Sequence, residues 1–179
     1  MFYTEAQEIL KSASHSFGKE TVLLQQAFGR VLCEKIIADR DYPPFNRAAM
    51  DGYALRLEDF EKGVRKFTVN ETIFAGQTPT TAISPGQCYK IMTGAATPQS
   101  ANLVIRREDT EEQNGTVTIL INEVKPLQNI AQRGEDLRRG DIIIDKPLAA
   151  TPAVISLLAA IGKQSVMIEK LPLVAIITT

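Results

Sequence analysis

The 179-residue sequence is poor in the residues that build metal and redox sites: it has no tryptophan, one histidine (His15) and two cysteines, Cys33 and Cys88. Two cysteines make neither a disulfide framework nor a zinc site, and both read as small apolar fillers. A lone histidine without a partner at ligand spacing reads as a surface or capping side chain. Neither sign of charge dominates: 20 Lys+Arg stand against 21 Asp+Glu, a net charge of −1 that gives no general attraction to nucleic acid or anionic membrane. Long apolar runs are missing as well. The longest, residues 152–162, is too short to span a bilayer, and the N-terminal Met1-Phe2-Tyr3-Thr4-Glu5 has neither the basic nor the apolar part of a secretory signal. A soluble cytoplasmic protein that binds neither nucleic acid nor membrane is therefore expected. What is present is 44% apolar residues at low net charge, which permits a packed core and excludes disorder as a description of the chain.

Periodicity divides the chain. Residues 4–14 read as a helix, with Thr4 as cap, Gln7 completing a capping box, and Ala6, Ile9, Leu10 and Ala13 as an apolar stripe. A second helix is expected from Thr21 to Gly29, then a strand over residues 31–38 and a stiff Tyr42-Pro43-Pro44-Phe45 stretch. Short strand signals follow at 52–57, 66–74, 87–92, 102–107 and 116–122, with Asn114-Gly115 as a hairpin turn. A strand at 140–144, a helix opened by Thr151-Pro152 and closed by Gly162, and a strand at 165–169 complete the pattern. The unbroken run after Pro172 reads as a strand buried on both faces, which requires parallel neighbours that would have to come from further chain. The expected class is α+β and β-rich. Residues 1–50 and 140–171 form one discontinuous domain around an inserted β subdomain, 51–139, and residues 172–179 begin an α/β domain.

Three segments have the composition of a site. In Met50-Asp51-Gly52-Tyr53-Ala54 a rigid entry and a glycine would hold one carboxylate in a fixed, accessible place, fit to bind a metal or act as a base; a plain Asp-Gly turn is the alternative. In Met92-Thr93-Gly94-Ala95-Ala96 small residues after a strand would leave backbone N–H groups uncovered beside a hydroxyl, a nest for an oxyanion such as phosphate or molybdate. It lacks the Gly-Lys-[Ser/Thr] ending of a nucleotide-binding P-loop. In Arg133-Gly134-Glu135-Asp136-Leu137-Arg138-Arg139-Gly140 alternating charges between glycines read as a salt-bridged turn or as an anion or metal contact.

Together these segments resemble the N-terminal region of the molybdopterin molybdenumtransferase family, to which the E domain of gephyrin belongs. The matching stretches are Ala27-Phe28-Gly29-Arg30-Val31-Leu32, Asp41-Tyr42-Pro43-Pro44-Phe45, Met50-Asp51-Gly52-Tyr53-Ala54, Ile91-Met92-Thr93-Gly94-Ala95, Arg133-Gly134-Glu135-Asp136 and the closing run from Pro172. The chain departs from the family where many members carry Asp-Asn-Ser and this one has Asn46-Arg47-Ala48, and where Gly-Ala-Asp is common and this one has Ser100-Ala101-Asn102.

The resemblance implies insertion of molybdenum from molybdate into adenylylated molybdopterin, with release of AMP and help from a divalent metal such as Mg²⁺. It implies Asp51 and Thr93 as catalytic residues, Asp51 as metal ligand, and Gly94, Ala95, Arg133, Glu135 and Asp136 as contacts to the pterin substrate. It further implies a homodimer, an upstream adenylyltransferase as pathway partner, and a pterin-binding domain, lying beyond this stretch, that completes the cleft from the other subunit. By itself the fragment is then expected to be inactive. The alternative from another class is a non-catalytic dimerisation scaffold of a gephyrin-like protein.

Overall fold

The computed structural model describes residues 2–13 and 15–178. In chain order the elements are α1 (Tyr3–Ser12), β1 (Lys19–Leu23), β2 (Val31–Leu32), β3 (Ile36–Ile37), β4 (Arg47–Ala48) and β5 (Gly52–Leu55). Then come α2 (Leu57–Glu61), β6 (Lys66–Ile73), β7 (Gln87–Ile91), β8 (Leu103–Arg106), β9 (Thr110–Gln113) and β10 (Thr116–Ile119). The chain continues through β11 (Ile130–Ala131), β12 (Ile142–Ile144), β13 (Leu148–Ala149), α3 (Pro152–Ala160) and β14 (Ser165–Glu169). The class is α+β and β-rich, as the sequence implies. Among the described residues no helix is long and apolar enough to cross a membrane.

The chain forms two compact units, one of residues 1–39 with 140–179 and one of Arg40–Arg139. The second begins at Arg40, ahead of the boundary expected at Asp51, because the proline stretch belongs to it. The Tyr42 N–H donates to the Leu137 carbonyl (2.8 Å), the Gly134 N–H to Pro43 (2.9 Å), and β4 pairs antiparallel with β11.

In the first unit β1, β14, β2 and β13 form an antiparallel sheet in that order, and β3 pairs with β12. Leu24, Ala27, Leu32, Leu158, Ile161, Val166 and Ile168 are buried there. Thr151 caps α3 as expected, its hydroxyl accepting from the Val154 N–H (3.4 Å), and Gly162 follows the helix at φ +77°. The expected helix at Thr21 is instead strand β1 followed by a 3-10 turn, Leu24–Gln26. Thr21 and Val22 favour extended backbone, and the partner β14 supplies the hydrogen bonds from the far end of the sequence. The strand expected over 31–38 is cut in two between Leu32 and Ile36, where Cys33 and Glu34 turn to bond the Met167 backbone. Helix α1 buries none of its side chains, and its N-terminus is closed by Glu5 accepting from the Phe2 N–H (2.9 Å), not by Thr4. The Ser14 end of that expected helix lies outside the described residues. No strand forms in residues 170–178, whose apolar side chains, Leu173 and Ile176 among them, are exposed. Among the described residues this run pairs with no strand, and Thr179 is outside them.

The second unit is built on a six-stranded sheet in the order β8-β5-β7-β6-β10-β9, antiparallel throughout except for β6 beside β7. The expected strands are here, each slightly shorter, and β9 completes a hairpin with β10 across Asn114 (φ 51°) and Gly115 (φ 74°). Both faces of the sheet are covered, so central strand β5 is buried at every position. Tyr53, Leu55, Cys88, Leu103, Ile105 and Val117 pack with Phe60 of α2 on one face. Ala54, Tyr89, Ile91 and Val104 pack with Ala48 and Ile130 of β4 and β11 on the other. Alternate residues of one strand thus enter different cores.

Candidate active site around Asp51 and Thr93

Asp51 stands one residue before β5, where the sheet pins the backbone from both sides. Gly52 lies opposite Ile91 of β7 and Arg106 of β8. A Cβ on Gly52 would sit 1.9 Å from the Ile105 carbonyl oxygen, so no other residue fits without parting the strands. The close approach foreseen for this glycine is therefore that of a neighbouring strand. On the other flank β7 ends at Ile91, and Met92 is held by its N–H donating to the Ile73 carbonyl (3.0 Å).

This register brings Thr93 to Asp51. The Thr93 N–H (2.7 Å) and hydroxyl (2.6 Å) both donate to Oδ1 of Asp51. Oδ2 receives no protein hydrogen bond among the described residues. The Thr93 hydroxyl and N–H, in that order, hold the Asp51 carboxyl below its ordinary value; partial desolvation opposes them and Arg107 adds to them. Asp51 is consequently an exposed anion at neutral pH with one oxygen fixed and one available.

The N–H nest expected at Thr93-Gly94-Ala95 is closed. Thr93 spends its N–H on Asp51, Gly94 donates to the Ala48 carbonyl (2.9 Å), and Ala95 donates to Met92 (3.0 Å). The Ala48 N–H returns a bond to Ala95 (2.9 Å). Gly94 and Ala95 therefore fasten the loop to β4, and the N–H groups of Thr93, Gly94 and Ala95 are already used.

Arg133, Glu135 and Asp136 lie on the other side of the 41–48 stretch. Arg133 Nε donates to Oδ2 of Asp41 (2.6 Å), its N–H to Oδ1 of Asn46 (2.8 Å), and the Arg139 N–H reaches Oδ1 of Asp41 (2.9 Å). Glu135 accepts from the Gln132 N–H (2.8 Å), and the Asp136 N–H donates to the Tyr42 carbonyl (2.9 Å). An Arg133–Asp41 ion pair thus lies in the segment. It braces the proline stretch and does not touch Asp51 or Thr93.

Four residues that the sequence did not single out as functional share the concavity with Asp51. About 230 Å³ of empty space, open mouth included, is lined by Asp51, Gly52, Tyr53, Lys90, Met92 and Arg107. The buried Tyr53 carries its phenol out to Oε2 of Glu112 (2.6 Å), which also receives Lys90 Nζ (2.6 Å). Hydrogen bonds from Lys90 and Tyr53 lower the Glu112 carboxyl, while burial and then the hydrogen bond to Glu112 drive the Tyr53 phenol far above its ordinary range. Alternation along 87–92 was the available signal for Lys90. Nothing local pointed to Glu112, whose strand was not expected. Among the described residues no three His, Cys, Asp or Glu side chains gather as a metal cage.

An α+β protein with a two-faced sheet and an Asp–Thr pair at one strand end is the class these features define. The family model described as "MoeA N-terminal region (domain I and II)" matches residues 1–162, and the chain belongs to that family. A molybdopterin molybdenumtransferase of Staphylococcus epidermidis is 36% identical over 160 residues, covering 87% of this chain and 38% of the relative. One from Synechocystis sp. is 32% identical over 175 residues, covering 97% and 45%. The crystal structure of a molybdopterin biosynthesis moeA protein from Pyrococcus horikoshii OT3 superposes with a TM-score of 0.84 at 35% identity, over 93% of this chain and 45% of that one. The chain thus spans less than half the length of these relatives.

Proposed function

We propose that the chain is the N-terminal part of a cytoplasmic molybdopterin molybdenumtransferase, which inserts molybdenum from molybdate into adenylylated molybdopterin and releases AMP. The observation that carries this reading is the Asp51–Thr93 pair: an exposed carboxylate, locked by two donors on one oxygen, keeps the other oxygen for a ligand. Family membership and relatives of that name support the substrate class. Asp51 and Thr93 are the catalytic residues in this proposal. Gly94, Ala95, Arg133, Glu135 and Asp136 shape the pterin side of the cleft, the first two by fixing the Thr93 loop and the others through their exposed side chains.

One free carboxylate oxygen without a protein cage suits Mg²⁺, which keeps several waters and is commonly held by one or two carboxylates together with substrate phosphates. Asp51 would hold it, and the bound ion would neutralise charge developing on substrate oxygens. The Thr93 hydroxyl fixes the rotamer of Asp51 and keeps the carboxyl ionised.

Relatives more than twice as long support a pterin-binding domain, begun at residues 172–179, that completes the cleft from the second subunit of a homodimer. Exposed Phe2, just ahead of α1, and Tyr3, Ile9 and Leu10 on it suit that dimer, with residues 1–39 and 140–171 as the dimerising domain. An upstream adenylyltransferase would deliver the substrate. The same apolar helix also suits a non-catalytic scaffold. Molybdenum insertion by a full-length enzyme carrying this region separates the two: Asp51→Asn is expected to abolish it, and near-normal activity would leave the scaffold reading.

A further inference from the structure

The face of the sheet that carries Tyr53 changes character along its length. Tyr53 lies opposite Lys90 on one side and Ile105 on the other, so side chains two residues on from each share its face. At one end this face is apolar core; at the Asp51 end it carries Asp51, Lys90 and Arg107, with Glu112 reaching in from β9.

These charges are not equally engaged. Lys90 and Glu112 neutralise each other at 2.6 Å, and Asp51 has its Oδ1 bound twice by Thr93. Arg107 is anchored by its main chain, the N–H donating to the Asp51 carbonyl at 3.0 Å. Its exposed guanidinium forms no ion pair and no side-chain hydrogen bond among the described residues. It lines the same concavity as Asp51, Tyr53 and Lys90. A guanidinium is a rigid fork of donors matched to two oxygens of a tetrahedral anion. With the backbone nest closed, Arg107 is the uncommitted cation lining this space.

We propose that Arg107 is an oxyanion-binding residue of this site, holding a tetrahedral oxyanion beside the free oxygen of Asp51. The inference rests on the transferase reading, under which the anion is either molybdate or a phosphoryl group of the adenylylated pterin. Shared chemistry recognises both: two coplanar N–H donors on two oxygens of one tetrahedron.

The test is steady-state kinetics of molybdenum insertion in the full-length enzyme with Arg107→Ala, Arg107→Lys and, in parallel, Asp51→Asn. Loss of a charge-assisted pair is expected to raise one KM roughly tenfold to hundredfold in Arg107→Ala, with kcat less affected and partial recovery in Arg107→Lys. A rise confined to the KM for molybdate assigns the anion as molybdate, and a rise confined to that for the adenylylated pterin assigns it as phosphate. Unchanged KM values overturn the inference, as does a loss of kcat alone that Arg107→Lys does not recover. If Asp51→Asn is inactive while Arg107→Ala is normal, only this inference fails; if Asp51→Asn is fully active, the transferase reading fails first.

Discussion

Two aspartates of the β-sheet unit, the half-buried Asp41 and the exposed Asp51, each accept two hydrogen bonds from described residues, and both have lowered carboxyl pKa values. They differ in how the bonds are distributed. Asp41 spends one oxygen on Arg133 and the other on the Arg139 N–H, joining a loop to the proline stretch. Asp51 takes both bonds on Oδ1 from a single residue. A depressed pKa therefore does not distinguish a structural carboxylate from one poised for chemistry; the count of free oxygens does.

The largest expected effect separates the two directly. In the full-length enzyme Asp51→Asn is expected to abolish molybdenum insertion with little change in thermal midpoint. Asp41→Asn is expected to lower the midpoint and leave activity per folded molecule intact. Activity lost in both, or in neither, would break the contrast. Next comes Gly52→Ala, which drives a methyl group into the Ile105 carbonyl and is expected to cost at least ~3 kcal/mol in denaturant unfolding. Wild-type stability in that variant would show that the sheet does not fix Asp51.

A smaller effect concerns titration. Carboxyls with lowered pKa stabilise the fold above their unfolded values, and that contribution is lost as pH falls through the folded ones. Thr93→Val removes the first cause of the Asp51 shift, so its carboxyl-carbon NMR titration is expected to move up toward the ordinary aspartate value while Asp41 stays put. Arg133→Ala is expected to do the reverse. The smallest effect is that of Thr151→Ala, a lost helix cap in the other unit, at ~1 kcal/mol or less and with both aspartate titrations unchanged.

Signals confined to a few adjacent residues were legible. Asn114-Gly115 announced its hairpin and Thr151-Pro152 its helix, because positive φ and a fixed N1 conformation depend on those residues alone. Asp51 and Thr93 were legible as candidates through motif resemblance, and their hydrogen bonds emerge from strand register, which no local window contains. Three donors of the Thr93-Gly94-Ala95-Ala96 segment are closed for the same reason: the carbonyls of Ala48 and Met92 absorb two of them and the Asp51 carboxylate the third. The stretch of β1 reads as a helix because Val22 and Leu24 fit either period, and β14, the element that decides, lies at the other end of the chain. Glu112 escaped notice because Glu-Glu-Gln looks like solvent-facing coil until Tyr53 and Lys90 converge on it.

The convergence of both Thr93 donors on one Asp51 oxygen has a consequence for denticity. Under the metal role proposed for Asp51, a cation would meet a single carboxylate oxygen, since Oδ1 already accepts both Thr93 donors. Small octahedral ions accept single carboxylate oxygens, whereas Ca²⁺ sites draw on bidentate carboxylates to reach six to eight ligands. On the proposed metal role, the Thr93 donors would thus favour a small octahedral ion over a larger one.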